Sequence, residues 1–195
     1  MIEAIRHGLT GVAQYGGRDG RQAFWYFVLF VFIVGFIVST AFSLATIGPM
    51  LASAISAGTD RQPPADATTL FDGRGAGMVR TMFTLGLSLG VAKLALLSPA
   101  LARRAHDSGL STALALIAPA LYTLGLVVLA ANWQLLVDRQ IAAVGHPDIA
   151  LANLRSYPQV AVTLLEWSAA VVAVIIGVRK STPGPNPYGR ASFNV

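Results

Sequence analysis

Residues 24–47 read FWYFVLFVFIVGFIVSTAFSLATI and contain no Asp, Glu, Lys or Arg. A helix needs about 20 apolar residues to cross the ~30 Å hydrocarbon core of a bilayer, and this stretch is long enough. Three later stretches have the same character, and only Lys93 and Glu166 interrupt them with a charge: residues 79–101, 112–131 and 160–178. The sequence therefore predicts an all-α, polytopic membrane protein built as a four-helix bundle.

The composition also indicates a membrane protein. Apolar residues make up 54% of the chain and charged residues 12%, which is too apolar for a surface that faces water. A soluble protein with a large core is the alternative, but a chain of this length has too much surface to bury four such stretches. The absence of cysteine excludes disulfides, thiolate metal sites and cysteine nucleophiles.

We treat residues 1–195 as a single membrane domain. Within residues 1–15, Ile2, Ile5 and Leu9 lie three or four positions apart, with polar residues between them. This spacing is typical of a short amphipathic helix, and we expect it to lie at the membrane interface.

The segments between the predicted spans differ in character. Residues 48–77 are rich in Pro, Gly and Asp and predict a mostly irregular outward loop. A second outward segment, residues 132–157, is expected to be partly helical. Residues 103–109 predict a tight hairpin, and Pro119 is expected to interrupt the third span. The tail, residues 179–195, has prolines at alternate positions and is expected to be extended or turning.

The distribution of charge predicts the orientation. With four spans both termini share one side of the membrane, and that side carries eight basic and three acidic residues. The opposite loops carry five of each. Because cytoplasmic segments are enriched in Lys and Arg, we expect both termini to be cytoplasmic. Because the net charge of +5 is explained by the excess of basic residues on the cytoplasmic side, we expect no nucleic-acid partner.

Lys93 and Glu166 both fall near the middle of their predicted spans. An isolated charge there is costly, so intramembrane charges face the bundle interior and find partners. We therefore expect the two side chains to form an ion pair between the second and fourth spans. A structural bond and a transport or proton-relay role remain alternatives.

No constellation of residues indicates catalysis or metal binding. His106 and Asp107 are adjacent, and adjacent side chains seldom point together; no serine is placed as a nucleophile. The three histidines, His7, His106 and His146, are scattered along the chain. We expect no enzyme activity, no metal and no cofactor. The pair Arg103 and Arg104 suits a phosphate or lipid headgroup, or else serves only to orient the hairpin.

Three short motifs carry a resemblance to a known family. They are Gly17-Arg18-x-x-Arg21-x-x-Phe24-Trp25, then Pro99 followed by Arg103-Arg104-x-His106-Asp107-x-Gly109-x-Ser111, and Gly184-x-Asn186-x-Tyr188-Gly189. In this order the chain resembles the bacterial membrane proteins grouped as domain of unknown function 805. It departs from the family pattern at Ala23 and Ala105. The resemblance implies an integral inner-membrane protein of a family without an established activity.

All three motifs fall on the predicted cytoplasmic side, so we expect their polar residues to meet in one cluster. Its predicted members are Arg18, Arg21, Arg103, Arg104, His106, Asp107, Asn186 and Tyr188. Such a cluster either staples the helices together or binds an anion or partner.

The function that the sequence favours is that of a multi-pass inner-membrane protein without a catalytic site. It would act through membrane lipids, including anionic headgroups, or through protein partners or a second copy of itself, at its basic cytoplasmic face. The alternative is a small transporter or channel subunit that uses Lys93 and Glu166.

Overall fold

The computed structural model describes residues 1–59, 74–143, 148–149, 153 and 156–189. Their secondary structure is helical, and the predicted all-α class is confirmed. The helices are α1 Ile2–Thr10, α2 Arg21–Thr59, α3 Arg74–Asp107, α4 Thr112–Ala115, α5 Ile117–Ala131, α6 Trp133–Ala142 and α7 Tyr157–Val178.

Four helical stretches are long and apolar enough to cross a membrane. They are Arg21–Thr46, Gly77–Asp107, Thr112–Ala131 and Tyr157–Val178, and they coincide with the four predicted spans. Large apolar side chains remain exposed along them, including Phe32 and Trp167. This exposure supports lipid as their surroundings, because large apolar patches are rare on water-facing surfaces.

The predicted irregular loop 48–77 was wrong at both of its ends. Helix α2 continues to Thr59, and α3 already begins at Arg74. Each residue added to an existing helix gains a hydrogen bond without a new nucleation cost, and residues 51–57 supply several helix formers. Residues 60–73 lie outside the described part of the chain.

The third span is interrupted as predicted, although the break lies at Leu116, between α4 and α5. Pro119 is the third residue of α5, where the missing N–H costs no hydrogen bond. Pro99, in contrast, lies inside α3, and the helix continues past it to Asp107.

The predicted hairpin at residues 103–109 was wrong in its first five residues, which form the last turn of α3. The helix ends in a Schellman motif. The Leu110 N–H donates to Ala105 O at 2.9 Å and the Gly109 N–H to His106 O at 3.1 Å. Gly109 has a φ of +75°, which a glycine adopts without strain. This termination keeps Arg103, Arg104 and Asp107 on a regular helical turn.

The chain divides into two compact units. The first comprises Met1–Val34, Gly90–Val127 and Thr163–Val195, and the second comprises Gly35–Leu89 and Val128–Val162. In the second, α6 confirms the predicted helix within 132–157. Phe83 packs edge-to-face on Trp133, with ring centroids 5.7 Å apart.

The first unit contains the hydrophobic core and the ends of the chain. Phe24 and Phe27 of α2, Ala105 of α3 and Ile176 of α7 belong to one buried cluster. Helix α1 docks on α2 through Gly8: a Cβ at this residue would lie 2.2 Å from the Phe27 ring. Only glycine permits this close approach.

Candidate functional site

Five charged residues of the first unit form a buried cluster at the end of α3. We name it the arginine–aspartate cluster, and its members are Arg18, Asp19, Arg103, Arg104 and Asp107. All five are at most 6% exposed. Burying a charge costs several kcal/mol unless it is paired, so the pairing within this cluster decides whether the fold is stable.

Asp107 lies at the centre of the cluster. Its Oδ1 accepts hydrogen bonds from Arg18 Nε at 3.1 Å and from Arg18 Nη2 at 3.0 Å. Its Oδ2 accepts from Arg104 Nη1 at 2.6 Å. Arg104 precedes Asp107 by three residues, and the helical turn brings the two side chains together. One carboxylate therefore binds two guanidinium groups: Arg18 donates two hydrogen bonds to Oδ1, and Arg104 donates one to Oδ2.

Asp19 forms the second half of the cluster. Its Oδ2 accepts a hydrogen bond from Arg103 Nε at 2.8 Å, and its Oδ1 lies 2.9 Å from His7 Nε2. Arg103 Nη1 also donates to Gly11 O and Gln14 O, both at 2.7 Å. Arg103 thus fastens the segment that follows α1 to the end of α3.

The tail folds back onto this cluster through its backbone. Arg18 donates to Thr182 O at 2.7 Å and to Gly184 O at 2.6 Å. The Thr182 N–H donates to Asp107 O at 2.8 Å. Residues that lie far apart in sequence, before α2, at the end of α3 and after α7, are therefore joined by hydrogen bonds.

Arg104 holds the end of α7. Its Nε donates to Gly177 O at 3.1 Å, and its Nη2 donates to Arg179 O. The last carbonyl groups of a helix lack hydrogen-bond donors within the helix. Here the buried Arg104 guanidinium provides those donors.

His106, at the end of α3, and Tyr188, in the tail, are in contact. Their rings stack with centroids 3.9 Å apart and an angle of 4° between the planes. Asn186 Nδ2 donates to His106 O at 2.9 Å, and His106 Nε2 lies 3.1 Å from Thr112 Oγ1. The third motif is thereby bound to the second.

The three motifs therefore meet at the end of α3. Residues 12–190 match the family described as "Protein of unknown function (DUF805)". The chain belongs to the DUF805 family. Comparisons with curated proteins and with solved structures gave no match. The matched range includes the whole arginine–aspartate cluster and the tail through Tyr188, so the predicted resemblance is confirmed.

In this DUF805 protein, seven of the eight predicted cluster residues come together. They are Arg18, Arg103, Arg104, His106, Asp107, Asn186 and Tyr188. The eighth, Arg21, begins α2 and is exposed. That these residues form a functional site stays a prediction.

Sequence reasoning missed Asp19 and Thr182. Asp19 is absent from the predicted cluster, yet its carboxylate lies 2.8 Å from Arg103 Nε, and both side chains are buried. A charge balance identifies it only once the three arginines are known to be buried, because buried charges need partners. Thr182 acts through its backbone and through its hydroxyl, which accepts from Arg18 Nη2 at 3.1 Å and donates to Asp107 O at 3.0 Å. The backbone contacts leave no residue-type signal in the sequence.

Within the cluster, the arginine side chains bind other groups of the protein itself. Arg103 and Arg104 are 3% and 0% exposed, and their donors already bind carboxylates and carbonyl groups. The two arginines therefore bind oxygen atoms of the chain itself. The two predicted roles of the pair, binding a phosphate or headgroup and orienting the hairpin, stay predictions.

Lys93 and Glu166 lie on α3 and α7 of the first unit. No salt bridge with an N–O distance of 4.0 Å or less joins them in the described residues. Lys93 Nζ lies 5.4 Å from the centroid of the Phe32 ring, within cation–π range. The intramembrane ion pair, and the transporter function that depends on it, stay predictions.

The described ranges contain no group of three or more His, Asp or Glu side chains that could hold a metal ion. His146 lies outside those ranges. The expectations of no metal, no cofactor and no enzyme activity stay predictions.

Proposed function

We propose that this DUF805 protein is a non-enzymatic, multi-pass protein of the bacterial inner membrane with both termini in the cytoplasm. It acts by binding anionic membrane lipids at its basic cytoplasmic face. The observation that supports this proposal best is that the arginine–aspartate cluster removes the neighbouring acids from the surface and leaves the remaining cations exposed.

The two aspartates of the cluster are buried and paired, so they do not neutralise the surface. The cluster itself holds three arginines and two aspartates, which leaves one positive charge in excess. In the described part of the first unit, the exposed basic side chains are Arg6, Arg21, Arg179 and Lys180. Glu3 is the only exposed acidic side chain in the described part of that unit. This surface is therefore complementary to an anionic layer.

The position of these basic residues favours anionic lipids as the partner. Arg21, Arg179 and Lys180 lie at the ends of helices that are apolar enough to cross a membrane. Near an anionic leaflet each Lys or Arg contributes about 1 kcal/mol of attraction. The same excess of basic residues supports the cytoplasmic assignment of both termini.

Lipid analysis tests the proposed function. The full chain is purified from bacterial membranes in mild detergent, and the retained phospholipids are quantified by mass spectrometry. We expect anionic phospholipids to be enriched over their share of the source membrane, and the enrichment to fall at high salt because exposed charges are screened. A retained mixture with the composition of the source membrane would contradict the proposal.

Reporter fusions test the orientation. A reporter that is active only in the cytoplasm is fused to the first residue in one strain and to the last in another. Both fusions should be active, and a fusion after residue 143, between α6 and α7, should be inactive. Activity of only one terminal fusion would overturn the proposed topology.

A further inference from the structure

We infer that Arg21, Arg179 and Lys180 form, around Trp25, a binding site for the phosphate of one anionic phospholipid headgroup. This inference rests on the proposed function and locates the proposed lipid binding at one defined site. Its three basic residues lie where α2 begins and α7 ends, outside the internally paired arginine–aspartate cluster.

The first step is the contact between the two helix ends. Gly177 lies against the start of α2: a Cβ built on it would be 2.7 Å from the Trp25 ring and 2.9 Å from the Phe24 ring. The end of α7 therefore lies directly on Trp25. Arg179 and Lys180 follow Gly177 by two and three residues.

The second step places Arg21. It precedes Trp25 by four residues, so both side chains lie on the same face of α2, about 6 Å apart along the helix axis. The Trp25 ring also lies against Gly177, two residues before Arg179. Arg21 and the segment that carries Arg179 and Lys180 are therefore both neighbours of Trp25.

The third step concerns the missing counter-charge. Arg21, Arg179 and Lys180 are exposed, and none of the described salt bridges includes them. The acidic residue nearest to Arg21 in the sequence is Asp19, which is buried and bound to Arg103 and His7. Three cations are therefore gathered next to a buried cluster that itself has an excess positive charge, and an anion from outside the chain would relieve their repulsion.

The chemistry of the residues indicates a phospholipid. Two guanidinium forks and one ammonium group match the oxygens of a phosphate. A Trp ring at the end of an apolar helix prefers the headgroup boundary. The apolar flanks of α2 and α7 offer acyl chains a surface that a free phosphate ion would not use.

The test is native mass spectrometry of the full chain in detergent, titrated with phosphatidylglycerol and, separately, with zwitterionic phosphatidylethanolamine. The site variant is Arg21→Gln/Arg179→Gln/Lys180→Gln. The control, Arg80→Gln/Arg139→Gln, removes two positive charges outside the basic cytoplasmic face. The wild type should bind phosphatidylglycerol in preference. The site variant should bind it at least about 10-fold more weakly, since about 1 kcal/mol per cation is lost. The control should stay within about twofold of the wild type.

A second variant covers the case in which the site variant does not fold. Arg21→Lys/Arg179→Lys keeps every charge but loses both guanidinium forks, and it should bind phosphatidylglycerol more weakly than the wild type while keeping its preference over phosphatidylethanolamine. Inorganic phosphate at millimolar concentration should not displace the lipid. Displacement by phosphate would overturn the assignment to a lipid.

The two proposals fail in different ways. Equal binding of both lipids by the wild type would contradict the proposed function. A wild-type preference for phosphatidylglycerol that survives in the site variant, or that is lost equally in the control, would overturn this site and leave the proposed function standing.

Discussion

Replacing Asp107 by asparagine is expected to lower the free energy of unfolding by about 3–5 kcal/mol, as is typical when one member of a buried ion pair is removed. Asp107 is fully buried and accepts hydrogen bonds from both Arg18 and Arg104. Asparagine would occupy nearly the same volume. The lower free energy of unfolding would therefore come from the two guanidinium charges left without a partner, and not from a cavity.

The measurement is chemical or thermal unfolding of the purified protein in detergent, followed by circular dichroism. Asp138→Asn is the matched control, because Asp138 is exposed on α6 and should change the stability by less than about 0.5 kcal/mol. Equal stabilities of the Asp107 and Asp138 variants would show that the buried pairing does not hold the fold.

Replacing Gly177 by leucine should lower the free energy of unfolding by about 1–3 kcal/mol or more, because added atoms have no room in a packed contact. Already the Cβ would lie 2.7 Å from the rigid ring of Trp25. The ends of α2 and α7 would have to separate, and the hydrogen bond from Arg104 to Gly177 O would be strained or lost.

Gly86→Leu is the control for this prediction. A Cβ at Gly86, also inside a helix, would have no neighbour within 4 Å. Because leucine favours the helix over glycine by several tenths of a kcal/mol, this variant should be neutral or slightly more stable. Thermal unfolding of both variants in the same detergent compares them. A destabilisation of the same size in both would mean that Gly177 is not a contact site.

The sequence predicts the four apolar helices well, because length and hydropathy are local properties. Their ends were less predictable: α2 extends to Thr59 and α3 begins at Arg74, since helix propagation continues into segments whose Pro and Gly content suggests a loop. The end of α3 was also placed too early, because the Schellman motif at Gly109 depends on backbone geometry.

The candidate site could be predicted only in part. The three motifs identified most of the residues that meet at the end of α3, because arginines next to membrane spans are conspicuous. The motifs did not predict that the arginines are buried, nor that Asp19 and the Thr182 backbone are among their partners. Which carboxylate pairs with which arginine depends on contacts between distant segments, and residue types alone do not determine them.

A double-mutant cycle on Arg18 and Asp107 tests most directly whether the arginine–aspartate cluster fastens the segment before α2 to the end of α3. The free energies of unfolding of Arg18→Gln, Asp107→Asn and the double variant are compared with that of the wild type. We predict a coupling energy of at least about 1 kcal/mol, because the two side chains share a buried hydrogen-bond network. Losses that add to within about 0.5 kcal/mol would mean that the two residues do not interact, and would contradict this structural role of the cluster.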